Sequence, residues 1–515
     1  MNYIKKSVCT GFILLQTLLI PQAQCAGFNQ NQVDSLVKKA QRELNVPGVA
    51  LAIVKDNEVI HAKGYGVKSI NNGDLVDTGT LFQVGSITKS FRTAALALLV
   101  DRNKLNWDDK VIDHLPNFQM YDPWVTREFT IRDLLTHRSG LPLGAGDLLQ
   151  WPDAKATPDE IIAALRFLKP QSSFRSQYAY DNLMYIVAAE VIRVASGMPW
   201  DQFVDKELLA PLDMEDCVAH SKRVAEPALR ATPHMEVDGK LKTTFFKNAD
   251  LVNCNIKGMA KWAQMHLAQG KLPNGEPLIS IQQQQEMWRP VTLQQVSNLA
   301  KKYSQTHFQA YGLGWRLMDF HGHLHVSHGG AVQGMTSHMA FLPEKNIAVI
   351  ALTNQWSRAA QGLTATILES YVTDQPTDYI DIYIEGRKRY AAMQKNTKTD
   401  KYKTTEASKR PPTLSLDSYT GVFHDSWYGE VSIEINDNAL LINFSRSKAL
   451  TGKLIHIDGN RFIAKWTDRT LNADAYVNFE VNFKGEVSGI KMKAVSRSTD
   501  FSYNFHDLNL KKLNK

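Results

Sequence analysis

Cysteine is scarce in this sequence: four in 515 residues. Two of them, Cys9 and Cys25, fall in an N-terminal stretch read below as a removable leader, which leaves Cys217 and Cys254. Two cysteines do not build a disulfide scaffold, and the sequence leaves open whether they pair or stay as thiols. Long apolar runs are missing too. After residues 8–20 no stretch approaches the roughly 20 apolar residues that a membrane helix requires, so no stable membrane span is expected once the leader is gone. Gly-x-Ser-x-Gly is absent, and with it the nucleophile elbow of one large class of serine hydrolases. His-Glu-x-x-His, the zinc-binding helix signature, is absent as well. There is no internal repeat.

The formal net charge is +7, but the excess is local. Lys5 and Lys6 belong to the leader, and residues 395–410 carry six basic and two acidic residues. Residues 26–394 are electrically balanced. A nucleic-acid-binding body would carry basic charge on its own surface, so no nucleic-acid partner is expected and the basic run reads as a solvated spacer. What remains is ordinary: 43% hydrophobic and 22% charged residues, enough for a large core in two or three domains.

Residues 1–25 read as a secretory signal. Lys5 and Lys6 precede the apolar region, and Pro21-Gln22-Ala23-Gln24-Cys25-Ala26 supplies small residues for cleavage near residue 25. The expected location is the periplasm or the medium. Lipidation of Cys25 is disfavoured, because the leucine and small residues that precede a lipidated cysteine are missing.

Along the mature chain, residues 29–44 have the pattern of an amphipathic helix stopped by Val46-Pro47-Gly48. Residues 49–54 and 59–66 read as a hairpin, and residues 105–287 as mostly helix and loop. Thr157-Pro158-Asp159-Glu160 opens one helix, and Gly197 closes another over 182–196. Residues 311–318, 323–328, 335–341 and 347–352 read as strands, followed by a helix over 359–371. Strands at both ends with helices between them predict an α+β domain, one mostly antiparallel sheet flanked by a helical region, over residues 26–394. Residues 395–412, polar and ending in Pro411-Pro412, read as a linker. Clean alternation such as Val431, Ile433 and Ile435 predicts a small all-β barrel or sandwich over 413–515.

The polar residues that stand out open the apolar run from Phe91 to Val100. Ser-x-x-Lys occurs at Ser35, Ser86, Ser445 and Ser488. Ser35 belongs to an ordinary amphipathic helix, and Ser445 and Ser488 lie among strand-like segments, where a three-residue spacing separates the side chains. Only Ser86 and Lys89 share a face at the tip of a helix apolar nearly all round. A partly desolvated lysine can take a proton from serine near neutral pH, which activates a nucleophile without histidine. Tyr180-Asp181-Asn182 and His328-Gly329-Gly330 offer the remaining parts. The Tyr180 phenol beside two cations is expected to ionise far below its ordinary value, and glycine at 330 to let a substrate backbone approach. His137 is read as structural and Asp181 as a solvated side chain.

These three ordered motifs, with residues 130–142, Tyr311-Gly312-Leu313-Gly314-Trp315 and residues 330–343, resemble the class C β-lactamase and low-molecular-weight penicillin-binding-protein group of serine hydrolases over about residues 29–372. The C-terminal module resembles the lipocalin-like domain often appended to such hydrolases. The resemblance implies a β-lactamase/transpeptidase-like fold and an acyl-enzyme on Ser86, with Lys89 and Tyr180 moving its proton. It implies that Asn182 binds the substrate amide, that His328 stands for the lysine of the third motif, and that the backbone amides of Ser86 and Ala331, next to Gly330, form the oxyanion hole. No cofactor is implied. Histidine at 328 is similar to D-amino-acid peptidases and esterases, so D-amino-acid-containing peptides, including peptidoglycan fragments, or small esters are the expected substrates. Relatives usually carry aspartate where this chain has Gly258.

Three other readings compete: a true β-lactamase, a non-catalytic cell-wall peptide-binding protein that keeps the fold, and a metallohydrolase. The last would use His321, His323 and His325, which alternate along a strand; without an accompanying carboxylate, exposed histidines and no metal are expected.

Overall fold

The computed structural model describes residues 27–225, 227–245, 250–401 and 410–513. The leader expected over 1–25 lies outside the described residues. Helix α1 (Gln30–Leu44) is capped by Asn29 and buries Val33, Leu36, Val37, Ala40 and Leu44. Strands β1 (Gly48–Lys55) and β2 (Glu58–Gly66) form the expected antiparallel hairpin. Helix α2 (Thr88–Asp101) follows the Ser86 turn and is buried from Thr88 through Leu99. Helix α3 (Leu183–Ser196) ends at Gly197, whose φ of 76° is the left-handed conformation that glycine adopts without strain. Helix α4 covers Ile256–Leu267.

The remaining strands of the sheet are β3 (Thr292–Leu293), β4 (Gln309–Tyr311), β5 (Arg316–Phe320), β6 (His323–Val332), β7 (Met335–Leu342) and β8 (Ile347–Thr353). They complete an eight-stranded sheet in the order β2-β1-β8-β7-β6-β5-β4-β3, antiparallel throughout. Successive residues of β1 serve two cores. Val49, Leu51 and Ile53 join α1 and helix α5 (Ala359–Glu369), whereas Ala50, Ala52 and Val54 join α2 and α4. The sheet is therefore covered on both faces, and α2 lies inside the protein rather than on it.

Two expectations need correction. The strand expected over 311–318 is broken into β4 and β5, because a β-carbon on Gly314, at φ 79°, would stand 2.5 Å from Thr93 Oγ1 on α2. That turn lets the sheet approach α2. The linker expected from 395 is also shortened at its start, since helix α6 runs from Tyr379 to Lys401. Its first turn is held by Asp378, which accepts from the Ile380 amide at 2.9 Å. Lys39 pairs with Asp378 at 2.6 Å and with Asp381 at 2.7 Å. Anchoring at one end lets a polar sequence continue as helix where composition alone suggested coil.

The C-terminal module is a closed barrel of strands β9 (Gly421–Asp425), β10 (Gly429–Asn436), β11 (Ala439–Phe444), β12 (Ser447–Asp458), β13 (Arg461–Trp466), β14 (Ala475–Val481), β15 (Val487–Ala494) and β16 (Leu510–Lys512). Aromatic rings fill it: Tyr419 lies 4.8 Å from Phe479, and Phe444 lies 5.7 Å from Trp466. The barrel docks on the larger domain. The Lys155 amide donates to the Arg446 carbonyl at 2.9 Å, and Gln333 donates to Thr470 at 2.8 Å.

Candidate active site

Ser86 sits in a tight turn, Gly85–Ile87, just before α2, and is half-exposed while its neighbours are buried. Lys89, in the first turn of the helix, places Nζ 3.1 Å from Ser86 Oγ and 2.7 Å from the side-chain oxygen of Asn182. The ammonium also lies over the Tyr180 ring, 4.6 Å from its centre. Burial, and after it the Arg92 guanidinium, bring Lys89 from its ordinary value down to about 7. At neutral pH a large fraction of Lys89 is therefore a free amine, and the hydrogen bond reverses so that the Ser86 hydroxyl donates to Nζ.

Tyr180 is buried and hydrogen-bonded to Ser86. Its expected ionisation is not what the environment supports. Burial holds the phenol well above its ordinary value, outweighing the hydrogen bond to Ser86 and the Arg316 charge. Tyr180 is thus a neutral phenol beside the Ser86 hydroxyl, and Lys89 is the adjacent group with lowered basicity.

Asn182 does not present a free amide to the cleft. Its oxygen accepts from Lys89, and its nitrogen donates to Asp147 Oδ2 at 2.8 Å. Asp181 is fully buried rather than solvated, accepting from Ser139 Oγ and the Leu183 amide, both at 3.1 Å. Burial, reinforced by the Asp147 charge, raises it to about 7.

His328 is close to the site without touching its reacting atoms. It is buried, its Nδ1–H donates to the Gly329 carbonyl at 2.7 Å, and its Nε2 accepts from the Tyr311 hydroxyl at 2.8 Å. Burial, then the charges of Arg316 and Lys89, keep it uncharged well below its ordinary value. Both ring nitrogens are committed within the protein, which holds the imidazole in place in the strand. His137, as expected, is structural: Nδ1 accepts from the Asp181 amide at 3.0 Å, and the ring packs 4.2 Å from that of Tyr180.

Gly330 and Ala331 bring the end of β6 onto the Ser86 turn. A β-carbon on Gly330 would stand 1.9 Å from the Val84 carbonyl oxygen, and one on Gly85 would stand 2.5 Å from the Ala331 amide nitrogen. Glycine at 330 is therefore required by the protein's own backbone, a closer constraint than the substrate approach expected from sequence. The same contact places the Ala331 amide beside the Ser86 turn, the arrangement an oxyanion hole needs.

Three parts of the site carry no local sequence signal. Asp147 follows Gly146 in a short buried turn between helices. Burial raises it to about 6 against the hydrogen bonds from Asn182, Ser502 and Gln150. Arg316, at the start of β5, is half-exposed in the cleft among the rings of Tyr178, Tyr180 and Tyr311, each about 5.7 to 5.8 Å away. Among the described residues no carboxylate pairs with it. Asp500, Phe501 and Ser502 reach in from the barrel. Ser86, Lys89, Tyr180, Asn182, Arg316, Gly330 and Ala331 share with them one cleft of about 2030 Å³.

The three strand histidines do not converge. His321 pairs with Glu369 at 2.9 Å and His323 with Glu344 at 2.7 Å, while His325 is buried rather than exposed. Among the described residues no group of three His, Cys, Asp or Glu is placed to hold a metal. Cys217 and Cys254 are joined as a disulfide. It explains Gly258, since a β-carbon there would stand 2.4 Å from Cys217 Sγ, and Asn255 caps α4 instead by accepting from the Gly258 amide.

The Beta-lactamase family model matches residues 33–371, and a model described as a domain of unknown function (DUF3471) matches residues 405–512. An unguisins hydrolase of Aspergillus campestris is 27% identical over 81% of this chain and 80% of its own. Penicillin-binding protein 4 of Amycolatopsis lactamdurans is 29% identical over 63% of this chain and 84% of its own. The octameric penicillin-binding protein homologue of Pyrococcus abyssi shares the fold, with a TM-score of 0.59 at 20% identity over 94% of this chain and all of that one. With a sheet, a Ser86 turn and a family match that coincide over the same residues, the chain belongs to the β-lactamase and penicillin-binding-protein family of serine hydrolases.

Proposed function

We propose that this protein is a hydrolase that forms an acyl-enzyme on Ser86, acting on amide or ester bonds of D-amino-acid-containing peptides or related small esters. The observation that carries the reading is Lys89 Nζ, 3.1 Å from Ser86 Oγ and with its basicity lowered to about 7. In the forward step Lys89 takes the Ser86 proton as Oγ bonds to the substrate carbonyl carbon. The carbonyl oxygen becomes an oxyanion facing the Ser86 and Ala331 amides. Collapse breaks the carbonyl bond to the leaving group, which departs with a proton delivered through the Tyr180 hydroxyl from Lys89. Water then repeats the sequence on the ester, and the acid is released.

Two features support a peptide of some size. The cleft of about 2030 Å³ is larger than a drug-sized ligand needs. Arg316, without a carboxylate partner among the described residues, suits a substrate that carries one. The unguisins hydrolase among the relatives fits a hydrolytic reading. The disulfide supports export to an oxidising compartment, the periplasm or the medium.

The test is turnover of matched substrates, D-alanyl and L-alanyl peptides, p-nitrophenyl esters and nitrocefin, by wild type and Ser86→Ala. Ser86-dependent hydrolysis of the D-peptides or esters is expected. Efficient nitrocefin turnover with none of the peptides would make the protein a β-lactamase instead.

A further inference from the structure

The hydrogen bonds of the active site do not stop at the hydrolase domain. Lys89 donates to Asn182, Asn182 donates to Asp147 Oδ2 at 2.8 Å, and Ser502 Oγ donates to the same Oδ2 at 2.9 Å. Ser502 belongs to the barrel, in the segment joining β15 to β16. Asp147 is 0% exposed and Ser502 7%, so water does not compete for the link. The segment is fixed where it enters: the Leu148 amide donates to Asn504 Oδ1 at 3.3 Å, the Ser502 amide donates to Asp500 Oδ1 at 3.0 Å, and the Phe501 ring meets that of Tyr180 edge-on at 5.9 Å.

We propose that Ser502, supplied by the C-terminal barrel, is a positioning residue of the hydrolase site that acts through Asp147 and Asn182 to set the place and proton state of Lys89. The inference rests on the Ser86 and Lys89 reading above. Its physical basis is the cost of a buried carboxylate. Asp147 stays ionised at neutral pH because three donors, Asn182, Ser502 and Gln150, oppose burial and the nearby Asp500 charge. Its charge and that of Asp181 favour protonated Lys89, whereas Arg92 and Arg316 oppose it. The other groups facing Lys89 are uncharged: the Tyr180 and Tyr185 phenols and the His137 and His328 imidazoles. Removing the Ser502 hydroxyl leaves Asp147 with one donor fewer. It then keeps its proton to higher pH, Lys89 loses a counter-charge, and Asn182 loses the anion that orients it. The barrel is in this sense part of the catalytic unit.

The experiment uses the full chain with [6-13C]lysine and follows the Lys89 signal, identified by its loss in Lys89→Arg, as pH is raised. In Ser502→Ala the Lys89 midpoint is expected to fall by about one pH unit, and in Ser502→Thr to return to the wild-type value. Asp147→Asn, which keeps hydrogen-bonding capacity and removes the charge, should give the same downward shift and serves if Ser502→Ala does not fold. In parallel, kcat should drop about tenfold with KM little changed, the acid limb of the rate profile moving with the midpoint. An unchanged Lys89 titration in folded Ser502→Ala or in Asp147→Asn overturns the inference. Lack of Ser86-dependent turnover in wild type would instead defeat the proposed function, and the titration would still decide the part played by Ser502.

Discussion

Gly330 lies so close to Val84 that a β-carbon on it would stand 1.9 Å from the Val84 carbonyl oxygen, an oxygen that also accepts from Ser337 Oγ at 2.7 Å. Strand β6 and the nucleophile turn are thus in backbone contact, and no flexible side chain can give way between them. Gly330→Ala is expected to destabilise the protein by about 2 kcal/mol or more and to lower kcat strongly by moving the Ala331 amide. Denaturant unfolding and ester hydrolysis check it. Wild-type values in both would show that the two backbones can separate freely.

Lys89 predicts a pH profile. In the proposed mechanism its amine is the base, and with a value near 7 the acid limb of kcat/KM should rise through about pH 7. The stability consequence has a definite sign. The folded value lies below the ordinary 10.5, so between about 7 and 10.5 the unfolded chain binds a proton that the folded chain does not. This lysine therefore disfavours folding fully below about 7, and the penalty is lost as pH rises through that window. Lys89→Met should remove the acid limb along with roughly 10²- to 10⁴-fold of the activity.

Arg316 predicts selectivity. In Arg316→Gln, kcat/KM for substrates with a free carboxylate should fall about 100-fold, with a much smaller change for neutral esters. Equal losses on both would show that Arg316 acts only on the proton state of Lys89.

The disulfide and Gly258 predict a paired effect. Replacing Cys217 and Cys254, which are 37 residues apart, by serine should cost about 3 to 4 kcal/mol of stability. Gly258→Asp should be strongly destabilising in the disulfide-bearing protein, whose sulfur would meet the new β-carbon at 2.4 Å, and milder in the double-serine background. Thermal melts of the four combinations measure the coupling.

The parts of this protein that were readable in sequence are those whose chemistry is local. Ser86 and Lys89 lie one helical turn apart, Tyr180 shortly precedes an apolar helix, and β1 and β2 are apolar segments joined by a short turn; each signal fits within a few residues. Asp147, Arg316 and Ser502 come from a loop, a strand and a second domain, and only folding brings them to one cleft. The burial of Asp181 and the neutrality of Tyr180 are not legible for the same reason: proximity to cations is visible in a motif, whereas exclusion of water is a property of everything packed around it. Helix α6 was missed because its polar composition resembles a spacer, and the Lys39 contact that anchors it lies 339 residues away from Asp378. His328 lies in a strand, as its sequence suggests, but its hydrogen bond with Tyr311 joins two strands that only the folded sheet brings together.

The most direct test is intact-protein mass spectrometry after brief exposure to a penicillin and, separately, to an activated ester, on wild type and Ser86→Ala. One added acyl group on wild type with at least one reagent, located on the peptide containing Ser86 and absent from Ser86→Ala, is the expected result. Adducts that persist in Ser86→Ala, or none on wild type with either reagent, would contradict an acyl-enzyme on Ser86 and favour a protein that keeps the fold without its chemistry.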